Sequence, residues 1–147
     1  MSTRGTPIVA LLDTNVLLDA ILTREPWFLE SVALLEAASR RQIRAAVAGH
    51  SVTTIYYLVA KSVDDAAARM AVSDLLQILD VVALDRDDFQ RALAMGLKDF
   101  EDAVQAAAAL KIGADVLVTR NPKDFKGASV TLRSAGETVA MLSTRRR

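Results

Sequence analysis

The sequence predicts a three-layer α/β/α sandwich on a central, mostly parallel sheet of four to five strands. Short aliphatic and β-branched runs alternate with helical segments in the order β-αα-β-αα-β-αα-β, and strands joined by helical crossovers pair in parallel with helices on both faces. The runs are continuously apolar, as strands buried on both faces read. No repeat, linker or composition break divides the 147 residues, so a single domain over 1–147 is expected.

Residues 7–13 (PIVALLD) form the first strand, which ends at an acid. Residues 15–22 have helical composition, and Glu25-Pro26-Trp27 opens a second helix reaching about residue 40, since proline suits a first helical turn. A second strand at 43–47 leads into a helix at 51–61 with Ile55, Leu58 and Val59 on one side. Ser62-Val63-Asp64-Asp65 resembles a capping box, with aspartate for the usual glutamate, for a helix running to about residue 79. A third strand follows at 81–84, then a helix from 87 to a stop at Gly96. The next helix begins at Asp99, continues through an alanine-rich stretch and is capped at Gly113. A fourth strand at 116–119, a weaker fifth at 130–132 and a closing helix at 135–143 complete the chain.

Composition excludes several classes of function. Hydrophobic residues make up 52% of the chain, but no run approaches the roughly 18 to 20 apolar residues that span a bilayer, so no membrane association is expected. The N-terminal stretch lacks the pattern of a secretory signal, and a cytoplasmic location follows as an expectation. With no cysteine there is neither a disulfide nor a thiolate site, and any metal must be held mainly by oxygen. The 18 basic and 18 acidic residues cancel, so overall charge does not argue for nucleic acid. The terminal Arg145, Arg146 and Arg147 read as a solvated end. His50, the only histidine, rules out a paired-histidine ribonuclease and sits at a strand-to-helix turn, where a surface or capping role is expected.

Ligands of parallel α/β sheets sit beyond the carboxyl ends of the strands. Asp13 stands there after the first strand, in LLDTNVLLD; capping the next helix does not require it, because Thr14 and Asn15 are also available. Asp99, Glu101 and Asp102 open the alanine-rich helix, where a plain capping role for the Asp99/Asp102 pair is equally open. Thr119-Arg120-Asn121-Pro122-Lys123-Asp124-Phe125 then brings hydroxyl, amide and carboxylate oxygens to the same edge of the sheet.

Taken in order, LLDTNVLLD, DFEDAVQAAAA and VLVTRNPKDF resemble the PIN-domain family of metal-dependent ribonucleases, especially its toxin-like members of the VapC type, over nearly the whole chain. The resemblance implies that Asp13 and Asp102 are metal ligands, with Asn121 and Asp124 adding oxygens and Thr119 assisting. It also implies a glutamate in the helix after the second strand, in a pattern like S-x-x-T-x-x-E; Tyr57 falls where that glutamate is expected, so either Asp99 or Glu101 compensates or one metal site is weak or missing. The expected cofactor is Mg2+ or Mn2+, which favour oxygen ligands, activate water and neutralise charge on a phosphodiester in flight. Catalytic roles would fall to Asp13, Asp102 and Asp124. Thr14, Asn15, Thr119, Arg120 and Lys123 would contact an RNA substrate, Arg120 and Lys123 through its phosphate. A small antitoxin that covers Trp27 and Phe28, and a homodimer, are the partners implied; the plainer expectation for the two aromatics is a place in the core. The competing reading is a PIN-like module that binds RNA or protein without cutting. A haloacid-dehalogenase-like phosphatase is disfavoured because Asn15 stands where its second aspartate belongs, and a dinucleotide fold because no G-x-G-x-x-G follows a strand.

Overall fold

A computed structural model describes residues 6–145 of the chain. Five parallel strands, β1 (Val9–Leu12), β2 (Arg44–Ala48), β3 (Asp80–Val82), β4 (Val116–Val118) and β5 (Leu132–Arg133), form one sheet in the order β3-β2-β1-β4-β5. The helices are α1 (Thr14–Ile21), α2 (Phe28–Ser39), α3 (Gly49–Ser62), α4 (Asp65–Ile78), α5 (Arg86–Ala94), α6 (Phe100–Lys111) and α7 (Ala135–Arg145), with a 3-10 turn, η1, at Pro122–Phe125. The expected sandwich is thus present, with its sheet wholly parallel.

Alternation along β1 separates the two faces. Ala10 and Leu12 pack with Val16, Leu34, Ile55, Leu75 and Leu142, which brings α1, α2, α3, α4 and α7 to one face. Leu11 points the other way and joins Ala106, Ala109, Leu117 and Phe125, so α6 and η1 cover the second face. The alanine run of α6 has a packing reason: Ala106, Ala107, Ala108 and Ala109 are all fully buried, and small side chains let this helix lie close to the sheet.

Several local expectations shift. Pro26 and Trp27 precede α2 instead of forming its first turn. Ser62 is the last residue of α3, so it cannot cap α4; Asp64 does, accepting from the amide of Ala67 at 2.7 Å. A reciprocal capping box occurs elsewhere, between Asp85 and Asp88 at the start of α5. The fifth strand lies later than expected, because the carbonyls of Thr131 and Arg133 accept from Leu117 and Thr119. Arg146 and Arg147 lie outside the described residues.

Candidate active site

The strand order puts β1 at the centre, between β2 and β4, so the segments leaving the carboxyl ends of these strands converge. Asp13 follows β1 directly, Thr119 follows β4, and Gly49-His50-Ser51 follows β2. Asp13 is 5% exposed, and its Oδ2 accepts from the Thr119 hydroxyl at 3.0 Å. The same hydroxyl oxygen accepts from the backbone amide of Asn121 at 3.0 Å, so Thr119 ties Asp13 to the turn that carries Asn121 and Asp124.

Burial pushes the Asp13 carboxyl up to about 6; the hydrogen bond from Thr119 works against this, while the charge of Glu101 adds to it. Asp102, in the first turn of α6, is pushed up to about 7, by burial first and then by Asp99, Asp13, Asp124 and Glu101. Acids from three separate segments therefore act on one another. Asp99 is partly committed as the cap of α6: its Oδ1 accepts from the amide of Asp102 at 3.0 Å. Asn121, Lys123 and Asp124 are exposed on and beside η1, fixed from below by the buried ring of Phe125.

The substrate candidates divide. Thr14 is buried and donates to the Ser51 hydroxyl at 2.8 Å, and Nε2 of Gln105 donates to both oxygens at 2.8 Å. Thr14 thus helps lock α1, α3 and α6 together beneath the acids. Asn15 accepts from Arg24 at 3.4 Å. Arg120 is gripped from the side, its Nε 3.0 Å from Oδ2 of Asp19 and its guanidinium over the Trp27 ring. Trp27 and Phe28 are half-buried, whereas Leu29 is 72% exposed.

None of the contacts above involves Tyr57. It is 62% exposed, with Lys61 over its ring, and lies seven residues past His50, roughly 10 Å along the helix axis. On the same helical stripe but one turn from His50 stands Thr54, half-buried and hydrogen-bonded to the carbonyl of His50. His50 itself neither caps by its side chain nor lies free on the surface. Both its ring nitrogens are buried without a hydrogen bond, Nε2 is 3.8 Å from Glu101, and burial lowers its pKa against the opposing pull of that carboxylate.

Sequence reasoning passed over Ser51, Gln105 and Asp19. Gln105 carried a signal, as the single polar residue within VQAAAAL and three positions, one helical turn, after Asp102. Asp19 carried a weaker one: an acid on the otherwise apolar VLLDAI segment of α1, where it is 0% exposed.

Among the described residues, no three carboxylate or imidazole side chains come close enough together to enclose an ion. The donor set nevertheless fits magnesium or manganese. It consists of oxygens, its carboxylates Asp13 and Asp102 are both pushed above the ordinary carboxylate range, and magnesium asks for only one or two direct carboxylates with water completing its shell.

Comparison with known proteins identifies the family and the fold. Residues 9–123 match the family model described as PIN domain, and the chain belongs to the PIN-domain family. No curated protein matches it by sequence. Among solved structures, it is similar to a chain of the VapBC2 complex of Rickettsia felis bound to a promoter DNA fragment, with a TM-score of 0.68, 19% identity, and coverage of 86% of this chain and 98% of that one. A chain of a toxin-antitoxin complex from Klebsiella pneumoniae aligns with a TM-score of 0.65 and 26% identity, covering 86% and 97% of the two chains. A chain of VapBC-1 from nontypeable Haemophilus influenzae aligns with a TM-score of 0.65 and 16% identity, covering 87% and 98%. No helix among the described residues is long and apolar enough to cross a membrane.

Proposed function

We propose that this protein is a magnesium- or manganese-dependent endoribonuclease that hydrolyses RNA phosphodiesters, and that it is the toxin of a toxin-antitoxin pair. The observation that carries the reading is that Asp13 and Asp102, acids from distant segments, lie near enough for the charge of Asp13 to act on Asp102, with carboxyls pushed up to about 6 and about 7. Burial is the first cause of both shifts and neighbouring acids add to them, and a bound cation would offset both. Asp13 and Asp102 would be its direct ligands, with Asp124 and Asn121 from the η1 turn and Glu101 at the opening of α6 completing an oxygen-rich surround. A bound ion supplies a water of lowered pKa and neutralises charge on the phosphodiester.

The chain's own residues do the rest. Thr119 orients Asp13, since its hydroxyl is pinned in turn by the Asn121 amide. The Thr14, Ser51 and Gln105 cluster keeps α1 and α6 in register beneath the acids. Arg120 and Lys123 border the same edge and would hold the substrate phosphate. The antitoxin partner is supported by the toxin-antitoxin complexes among the similar structures. A homodimer and a cytoplasmic location complete the proposal.

The deciding experiment is cleavage of RNA by the wild-type chain with and without manganese, beside Asp13→Asn. Metal-dependent cleavage lost in the variant is the expected result. Undiminished cleavage by Asp13→Asn, or manganese binding with no cleavage of any RNA offered, would overturn it, and the latter would favour a PIN-like module that binds without cutting.

A further inference from the structure

Asp19 is fully buried, yet neither of its carboxylate oxygens has a hydrogen-bond partner. Its charged neighbours are two arginines: Nε of Arg120 at 3.0 Å from Oδ2 and a terminal nitrogen of Arg24 at 3.9 Å from Oδ1. A buried ion pair stabilises a fold little once desolvation is counted, and a well-packed apolar pair often does as well or better. Stability alone therefore gives no reason for a carboxylate in the core of α1.

Orientation does. The guanidinium of Arg120 is held at two places, at Nε by the charge of Asp19, an ion pair without hydrogen-bond alignment, and on its flat face by Trp27, whose ring centroid is 3.7 Å away. Its side chain keeps 20% of its surface exposed, and no hydrogen bond among the described residues engages its two terminal nitrogens. Those nitrogens form the half of the planar fork that binds phosphate oxygens in pairs. Arg120 also follows Thr119, the residue bonded to Asp13, and its charge is felt at that carboxylate.

We propose that Asp19 and Trp27 are positioning residues that grip Arg120 by its Nε and its face, so that its two terminal nitrogens meet a phosphate of an RNA strand beside the acidic cluster. The proposal rests on the nuclease reading, because it takes the ligand to be the substrate backbone. It adds two residues to the site, neither of which touches the RNA, and it gives the strand a fixed point relative to Asp13.

The test measures binding of a short fluorescent single-stranded RNA by anisotropy, with Asp13→Asn as the common background to prevent cutting and magnesium present. Arg120→Met, Asp19→Asn and Trp27→Leu should each weaken binding roughly tenfold, the order expected for a charge-assisted contact. Arg120→Met should also lower the slope of log affinity against log salt by about 0.7, the share of one phosphate on a single strand. Added to Arg120→Met, Asp19→Asn should cost nothing further, since Asp19 acts only through that guanidinium. Arg120→Lys, which keeps the charge but not the fork, should fail to restore affinity. The paired change Asp19→Leu with Arg120→Met keeps the site packed, and should recover thermal stability without recovering RNA binding.

Additive losses from Asp19→Asn and Arg120→Met, unchanged affinity in Asp19→Asn, or recovered RNA binding in the paired variant would each overturn the proposal. If the background protein binds RNA and these variants bind it equally well, the grip on Arg120 is refuted while the nuclease reading stands. If the wild-type chain neither binds nor cuts RNA, the nuclease reading fails and this proposal fails with it.

Discussion

The Thr119 hydroxyl donates to Oδ2 of Asp13 at 3.0 Å, joining two residues 106 positions apart in sequence. They meet because β1 and β4 are neighbours and each residue is the first after its strand. The bond favours the ionised carboxylate, so it offsets part of the upward push that burial gives Asp13. Thr119→Val should raise the Asp13 pKa above about 6 and move the pH at which manganese binds upward, as read by calorimetric titration across pH. It should also destabilise the fold by about 1–3 kcal/mol, because it leaves a buried acceptor and the Asn121 amide without their partner. A binding profile that keeps its midpoint would refute this account of Asp13.

Asp13 and Asp102 give the metal-free protein a pH dependence of a definite sign. Their folded values, about 6 and about 7, lie above the ordinary 3.8, so the folded state retains protons that the unfolded chain releases. Their favourable contribution is complete below about 4 and is lost as pH rises through about 6 and 7. The melting temperature in chelator should therefore fall over this range, and manganese should restore it most strongly at the alkaline end. Asp102→Asn should flatten the decline and melt higher than wild type at pH above about 7 while binding metal less well. Scanning calorimetry at stepped pH is the check, and a melting temperature that climbs with pH in chelator would count against the cluster.

Asp124 acts on Asp102 by charge alone, and it is exposed. Asp124→Asn should lower the Asp102 pKa, followed by NMR titration of the side-chain carboxyl carbon, and leave stability within about 0.5 kcal/mol, as exposed substitutions do. Phe125, the next residue, is 1% exposed and anchors η1 against α6. Phe125→Ala should cost about 3–5 kcal/mol in urea denaturation. Equal effects from the two substitutions would contradict the division between an exposed charge and its buried anchor.

Tyr57→Ala should leave manganese affinity unchanged within about twofold, because the ring is 62% exposed and two helical turns beyond His50. Thr54→Glu, on the same stripe one turn from His50, whose ring lies 3.8 Å from Glu101, should strengthen manganese binding, and isothermal titration of both variants is the check. A marked loss of metal in Tyr57→Ala would give that tyrosine a part in the site.

The sheet, its helical crossovers and the place of Asp13 at the end of a central strand were legible in the sequence because they rest on periodicity and on short-range rules. Continuous apolar runs such as residues 7–13 mark doubly buried strands, and an acid immediately after such a run has to lie at the strand's carboxyl end. Even the capping role of Asp99 was readable from its spacing to Asp102. Relations carried by side chains across the sheet were not readable. Whether Asp13 accepts from Thr119, whether Thr14 turns to Ser51 and Gln105, and whether Arg120 is gripped by Asp19 and Trp27 all depend on which strands become neighbours and on the rotation of each helix about its axis. Tyr57 shows the same limit, since the resemblance marked it as standing where a glutamate is expected, while its exposure and its contact with Lys61 appear only in the fold. The sequence by itself determined the layers and the acids at their edge; only the tertiary structure decided their partners, because contacts between distant segments exist only once the sheet has ordered its strands.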